Sequence, residues 1–88
     1  MPYIPQGRRR RLNSGGEIET AGDLNYVLTS VVFDWLLQRP ENYDNYNSVI
    51  GVLESMKLEI YRRTVAPYED LKASINGDVF TNREVPYV

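Results

Sequence analysis

The sequence predicts an all-α fold: an antiparallel helical hairpin and a short third helix, with extended N- and C-terminal arms, assembled as a homo-oligomer. Two stretches carry apolar residues at alternating steps of three and four, the spacing of one face of a packed helix. Two helix-ending residues, Pro40 and Gly77, follow the first stretch and the last predicted helix. The chain has 88 residues and no cysteine. A chain of this length buries only about 60–65 % of the surface its unfolded form exposes, so we expect self-association.

Residues 1–22 are predicted to form an extended basic arm, and residues 23–88 a single helical domain with a docked C-terminal tail. Pro2 and Pro5 favour extended backbone around the two apolar residues between them. The arginine-rich segment that follows has room for one helical turn, which the Asn-Ser-Gly-Gly sequence at 13–16 ends. We expect the arm to dock, on this chain or on a neighbouring subunit.

The first long helix is predicted from about Gly22 to Gln38. Thr20 or Asp23 can cap its N-terminus, and Pro40 ends it because the residue before a proline resists the α conformation. Its apolar residues cover nearly the whole circumference in the middle of the helix, which is more than one partner helix buries. They are Leu24, Val27, Leu28, Val31, Val32, Phe33, Trp35 and Leu36.

The second long helix covers about residues 45–64, with Asn45 or Asn47 as its cap. It carries a regular apolar seam, formed by Tyr46, Val49, Leu53, Met56 and Ile60. We predict that it returns antiparallel to the first helix. A third, short helix is predicted to begin near Pro67 and to end at Gly77, and the tail of residues 78–88 is predicted to be extended.

Composition excludes several kinds of chemistry. Without cysteine or histidine the chain has no thiolate nucleophile, no serine–histidine triad and no histidine-bound zinc. Glu54 and Glu59 are five residues apart, unlike the acidic pairs three or four apart that hold Mg²⁺ in helical nucleotide pyrophosphohydrolases. We therefore predict a protein that is not an enzyme and needs no cofactor or metal. No apolar run reaches the length of a membrane span, so we expect no membrane partner and a cytoplasmic location.

Charge is unevenly distributed. The net charge is −2, but residues 8–11 are four consecutive arginines, and the chain from Leu12 onward has six basic and twelve acidic residues. Such an arm can contact a phosphate-bearing ligand, a neighbouring subunit or only solvent. It lacks interleaved aromatic residues, which argues against nucleic acid as the partner.

A candidate ligand site follows the second long helix. Arg62 and Arg63 offer planar, bidentate donors for phosphate, and Tyr68 and Asp70 come shortly after them. The alternative is an internal salt-bridge network. Further candidates are two tyrosines near the start of the same helix, which can stack on a base, and two arginines of the arm. They are Tyr43, Tyr46, Arg8 and Arg9.

Several segments give the chain a family resemblance. They are Gly22-Asp-Leu-Asn-Tyr26, Glu41-Asn-Tyr-Asp-Asn-Tyr-Asn47, Val52-Leu-Glu54, Lys57-Leu-Glu59, Tyr61-Arg-Arg63, Ala66-Pro-Tyr-Glu-Asp70 and Asn76-Gly-Asp-Val79. The chain resembles a family of small proteins of tailed phages and prophages that often open with Met-Pro-Tyr-Ile-Pro. The resemblance spans nearly the whole chain. This sequence departs from the family in its arm, where residues 13–16 interrupt what is a longer charged helix in relatives.

A phage setting implies a function by analogy. Some small oligomeric phage proteins sequester the nucleotide signals of bacterial immune systems, using arginines for phosphate and aromatic residues for bases. We therefore expect a non-enzymatic counter-defence protein of the host cytoplasm that binds a cyclic nucleotide or an ADP-ribose-type molecule. The alternative is a protein-interaction module that inhibits or regulates a host or phage protein through its apolar, tyrosine-rich surface.

Overall fold

The computed structural model describes residues 1–80, and within them every regular element is helical. The α-helices are α1 (Gln6–Asn13), α2 (Ala21–Leu37), α3 (Tyr43–Ile60) and α4 (Ala66–Asn76). A π-helical turn, Tyr61–Val65, joins α3 to α4 without a break. The all-α prediction is confirmed for the described residues, while residues 81–88 of the predicted tail lie outside them.

Close contacts divide the chain into two compact units, Met1–Ile50 and a second that begins at Gly51. The boundary falls inside α3. In the first unit α1 packs against α2. The predicted division at residue 22 stays a prediction, because packing units need not coincide with independently folding domains.

The N-terminal arm is more helical than predicted. Residues 6–13 form α1, which begins after Pro5 and ends in a Schellman motif. In that motif the Gly16 N–H donates to the Arg11 carbonyl at 2.8 Å, and the Gly15 N–H donates to the Leu12 carbonyl at 3.0 Å. Gly15 has φ of 89°, a conformation in which glycine meets no Cβ penalty. The Asn-Ser-Gly-Gly sequence therefore ends a two-turn helix, while residues 1–5 and 17–20 lie outside the helices.

The arm docks on its own chain. Leu12 is buried, and Ile4 passes so close to the start of α2 that a Cβ added to Gly22 would lie 2.9 Å from its Cγ2 atom. The prediction that the arm docks is thereby confirmed within one chain. Glycine at position 22 is what permits this approach.

Helix α2 begins where the capping signals predicted. Thr20 is the N-cap, and its hydroxyl accepts from the Asp23 N–H at 3.0 Å, while the Asp23 carboxylate accepts from the Thr20 N–H at 3.3 Å. After Leu37 the chain turns, and the Arg39 side chain donates to the Trp35 carbonyl at 2.7 Å with its guanidinium over the Trp35 ring. Pro40 then prevents continuation of the helix.

Helix α3 begins earlier than predicted. Its first turn is capped by Asn42, whose side-chain oxygen accepts from the Asn45 N–H at 2.8 Å, and the prediction of Asn45 or Asn47 as the cap is wrong. Tyr43 and Tyr46 therefore lie on the first turn of α3 rather than in the preceding loop. An asparagine-rich segment offers several equivalent caps, so the pattern alone could not choose among them.

Candidate functional site

The most constrained polar group in the described chain is the Asp23 carboxylate. It has no exposed surface, and it accepts from Arg8 through Nε at 3.0 Å and through Nη2 at 2.6 Å. Arg11 Nη2 lies 3.4 Å from the same carboxylate, and the N–H of Glu19 donates to it at 3.1 Å. These groups and Thr20 form what we call the Asp23 network.

The Asp23 network shifts the pKa values of Asp23 and Arg8. Hydrogen bonds from Arg8 lower the pKa of Asp23 from 3.8 to about 2, although burial of the carboxylate acts in the opposite direction. The same contact raises the pKa of the Arg8 guanidinium above its usual value. Asp23 is thus an ionised carboxylate at neutral pH, and both Arg8 and Arg11 form ion pairs with it.

This network decides how the arm arginines can be used. Arg8 donates from Nε and Nη2 to Asp23 and from Nη2 to the Thr20 hydroxyl, so these two nitrogens are already engaged. Arg9 instead donates through Nε to the Ile4 carbonyl at 2.7 Å. It also lines a cleft of about 300 Å³ between the arm and α2, together with Tyr3, Tyr26 and Asp34. Arg9 is thus an arm residue placed beside an open cavity.

The predicted arginine pair lies in the π-helical turn. Arg62 Nη2 lies 2.7 Å from the Glu59 carboxylate, and Arg63 Nε donates to the same oxygen. Two guanidinium groups therefore share one carboxylate, so the cluster carries one uncompensated positive charge. Their side chains remain 69 % and 70 % exposed. Both arginines thus form ion pairs with Glu59, as in the salt-bridge alternative of the sequence analysis, and these cations remain accessible.

The tyrosines and Asp70 are also placed by the structure. Tyr61 donates to Glu69 across the π-helical turn. This hydrogen bond raises the pKa of the Tyr61 phenol because ionisation would remove the donated proton, and the negative charge of Glu69 raises it further. Tyr68, one residue before Glu69, is exposed, and the Lys72 ammonium lies 5.6 Å from the centre of its ring. Asp70 is exposed on α4.

Tyr43 and Tyr46 fall in the first packing unit, whereas Arg62, Arg63 and the residues that follow fall in the second. Tyr46 donates to Glu41, and Tyr43 is largely exposed. The predicted site residues therefore divide into two groups, each described within its own unit.

Neither metal sites nor membrane spans are found in the part of the chain that the structure covers. Residues 1–80 contain no group of three or more acidic side chains placed to hold a metal ion. None of their helices is both long and apolar enough to cross a bilayer.

Comparison with known proteins assigns the chain to a family. Residues 1–79 match a family described as a domain of unknown function, DUF6899. The chain belongs to the DUF6899 family. No curated protein and no solved structure matches it. The DUF6899 match takes in α1 to α4 and all eight predicted site residues.

Two features of this DUF6899 chain were missed by sequence reasoning. The first is the pairing of Arg8 with Asp23, two residues fifteen positions apart that no periodic pattern connects. The second is the π-helical turn. A signal for it was present, because Pro67 follows an apolar seam whose next member, Val65, comes five residues after Ile60.

Proposed function

We propose that this DUF6899 protein is a non-enzymatic homo-oligomer that binds a phosphate-bearing nucleotide. The observation that carries the proposal is the exposure of its apolar side chains. Among residues 1–80, Leu12 is the single buried hydrophobic side chain, while large apolar residues of α2, α3 and α4 remain exposed. Such surfaces are typical of proteins completed by association. The antiparallel pairing of α2 with α3 stays a prediction.

The ligand chemistry follows from the arginine cluster. Arg62 and Arg63 share the Glu59 carboxylate, and their exposed guanidinium groups keep donors for a phosphate. Tyr68, one turn further along, offers a ring for stacking, and Asp70 offers a carboxylate for polar edges of a base. The ligand roles predicted for Tyr43, Tyr46, Arg8 and Arg9, which lie in the first packing unit, stay predictions.

The biological role we propose is counter-defence by a phage protein in the host cytoplasm. Support comes from the resemblance of the sequence to small proteins of tailed phages and from the residue types of the cluster. A cyclic nucleotide or an ADP-ribose-type molecule fits guanidinium groups beside tyrosine rings. Binding without turnover would sequester the signal, which matches a chain without histidine or cysteine.

Isothermal titration calorimetry with cyclic ADP-ribose isomers and cyclic oligonucleotides tests this proposal. Arg62→Ala and Arg63→Ala should each weaken binding about ten- to a hundredfold, the usual loss for a charge-assisted hydrogen bond. Lysine at either position should restore part of the affinity, because a point charge cannot reproduce a bidentate fork. Arg39→Ala is the matched control, since Arg39 is engaged with Trp35. Unchanged affinity in both arginine variants would place the ligand elsewhere.

A second function is favoured by the same exposed apolar surface. The protein would be an interaction module that inhibits or regulates a host or phage protein. One outcome is that calorimetry gives no heat with any of the nucleotides at about 100 µM protein, a concentration far above the dissociation constants expected for such signals. That result would leave the interaction module as the supported function. Binding of any nucleotide with loss in the arginine variants would reject it in favour of the nucleotide proposal.

A further inference from the structure

The apolar seam of α3 continues through the π-helical turn into α4. We call the continued row the long seam. It consists of Leu53, Met56, Ile60, Val65, Tyr68, Leu71 and Ile75. Its steps are three or four residues except from Ile60 to Val65, where the step is five.

Proline accounts for the π-helical turn. Pro67 has no N–H to donate, and in a regular α-helix its ring would clash with the carbonyl four residues earlier, that of Arg63. The helix widens before it, and the Ala66 N–H donates to the Tyr61 carbonyl five residues back. The chain thus accepts the proline without breaking the helix.

The widened turn also sets the direction of α4. A π-helical turn holds one residue more than an α-helical turn. The single step of five in the long seam coincides with this turn, so Val65 and the apolar residues of α4 continue the face begun by Leu53, Met56 and Ile60. In an uninterrupted α-helix they would be rotated off that face by about one residue, or roughly 100°.

The long seam has no cover within the described chain. Val65 is its least exposed member at 39 % and Ile75 its most exposed at 65 %. Taking about 70 Å² for half of a large apolar side chain, the seven residues offer roughly 500 Å² per copy. That is about the apolar part of a standard interface, which buries about 800 Å² per partner. The area fits one helical partner of the same length.

Charges beside the long seam indicate which partner. Four charged residues each come directly after a seam residue and so lie on one flank: Glu54 and Lys57, which form an ion pair at 3.1 Å within one chain, and Glu69 and Lys72. Lys57 and Glu69 stand six residues before and after Arg63, and Glu54 and Lys72 stand nine before and after it. In an antiparallel pair of identical helices, the same flank of each copy faces the other copy. A single register therefore places Lys57 opposite Glu69 and Glu54 opposite Lys72.

We propose that the partner on the long seam is a second copy of this chain, packed antiparallel with its two-fold axis at Arg63. Lys57 then meets the Glu69 position of the other copy, and Glu54 meets its Lys72 position. The π-helical turn keeps both halves of the seam on the shared face. This inference rests on the proposed self-association, and it shares Tyr68 with the proposed nucleotide contacts.

Charge exchange tests the register. Lys57→Glu and Glu69→Lys should each weaken self-association about tenfold in sedimentation equilibrium, the scale expected when two exposed ion pairs become repulsive. An equimolar mixture of the two variants should recover near-native affinity as a mixed pair. The control mixes Lys57→Glu with Asp70→Lys, which has the same net charge as Glu69→Lys but lies two residues after Tyr68, off the flank. Equal recovery in both mixtures, or none in either, would overturn the register.

Pro67→Ala tests the role of the π-helical turn. It restores the missing N–H, so the helix should become regular, keep its circular dichroism signal and associate at least tenfold more weakly. Leu53→Ala should also weaken association. Leu58→Ala should leave it unchanged, because Leu58 lies midway between the seam residues Met56 and Ile60 and so is off the seam. Undiminished association of Pro67→Ala would overturn the aligning role. A monomeric wild type would overturn the second copy itself, while nucleotide binding would remain a separate result.

Discussion

In the first packing unit α1 is held against α2 by a buried carboxylate and one buried leucine, whereas from Gly51 to Asn76 nearly every side chain is exposed. The first arrangement is complete within one chain, since every donor to Asp23 comes from the same arm and helix. The second presents an apolar row with nothing on it. The difference teaches that a buried polar network can hold an arm on a helix within one chain. A long helix with an exposed apolar face needs a partner for its stability.

Leucine-to-alanine exchange should give the largest contrast between the two units. Leu12 is 8 % exposed and Leu58 is 58 % exposed. Leu12→Ala should lower the free energy of unfolding by about 2–5 kcal/mol through lost burial and the cavity left behind. Leu58→Ala should change it by less than about 0.5 kcal/mol. Urea denaturation followed by circular dichroism measures both, and equal losses would contradict the distinction.

Glycine-to-alanine exchange should act with opposite sign in the two units. A Cβ on Gly16 would lie 2.6 Å from the Arg11 Cγ atom and 2.7 Å from the Arg11 carbonyl oxygen, whereas one on Gly51 meets nothing within 4 Å. Gly16→Ala should destabilise by about 1–3 kcal/mol, the usual cost of overpacking. Gly51→Ala should stabilise helix α3 by about 0.5–1 kcal/mol. Thermal unfolding of the two variants checks the sign of each change.

The cap of α2 gives a smaller effect confined to the first unit. Thr20→Ala removes the hydroxyl that accepts from the Asp23 N–H. The expected loss is about 1 kcal/mol of unfolding free energy. Thr20→Ser keeps the acceptor and serves as the control. If serine and alanine cost the same, the capping box does not stabilise the helix.

Acid should weaken the first unit through Asp23. Its folded pKa of about 2 lies below the ordinary value of 3.8, so its contribution to stability is fully present above about pH 4 and is lost as the pH falls through about 2. Asp23→Asn removes this titration. The stability difference between wild type and Asp23→Asn, measured by urea denaturation, should therefore shrink between pH 4 and pH 2. A difference that stays constant over this range would mean that Asp23 is not held by Arg8.

Local signals gave the sequence prediction most of its success. Thr20 and Asp23 as a cap, the Asn-Ser-Gly-Gly stop and the left-handed Gly77 all act within a few residues, so each can be recognised from the chain alone. The partner of Asp23 could not be recognised, because Arg8 reaches it only after α1 and α2 have packed.

The site was predicted in part for the same reason. Glu59 lies three and four residues before the two arginines, and the intrahelical pairing follows from helical spacing. Exposure of those arginines and their position in a π-helical turn depend on how Pro67 is accommodated, which the prediction treated as a helix start. Their ligand role stays a prediction.

The solution mass of the wild-type protein tests the central claim most directly. Sedimentation velocity at micromolar concentration should give a multiple of the 10.2 kDa chain mass, because the exposed apolar surface of α2 to α4 is then covered by other copies. The far-ultraviolet circular dichroism of the same sample should be strongly helical. A helical protein that sediments at 10.2 kDa over the whole concentration range would contradict the account.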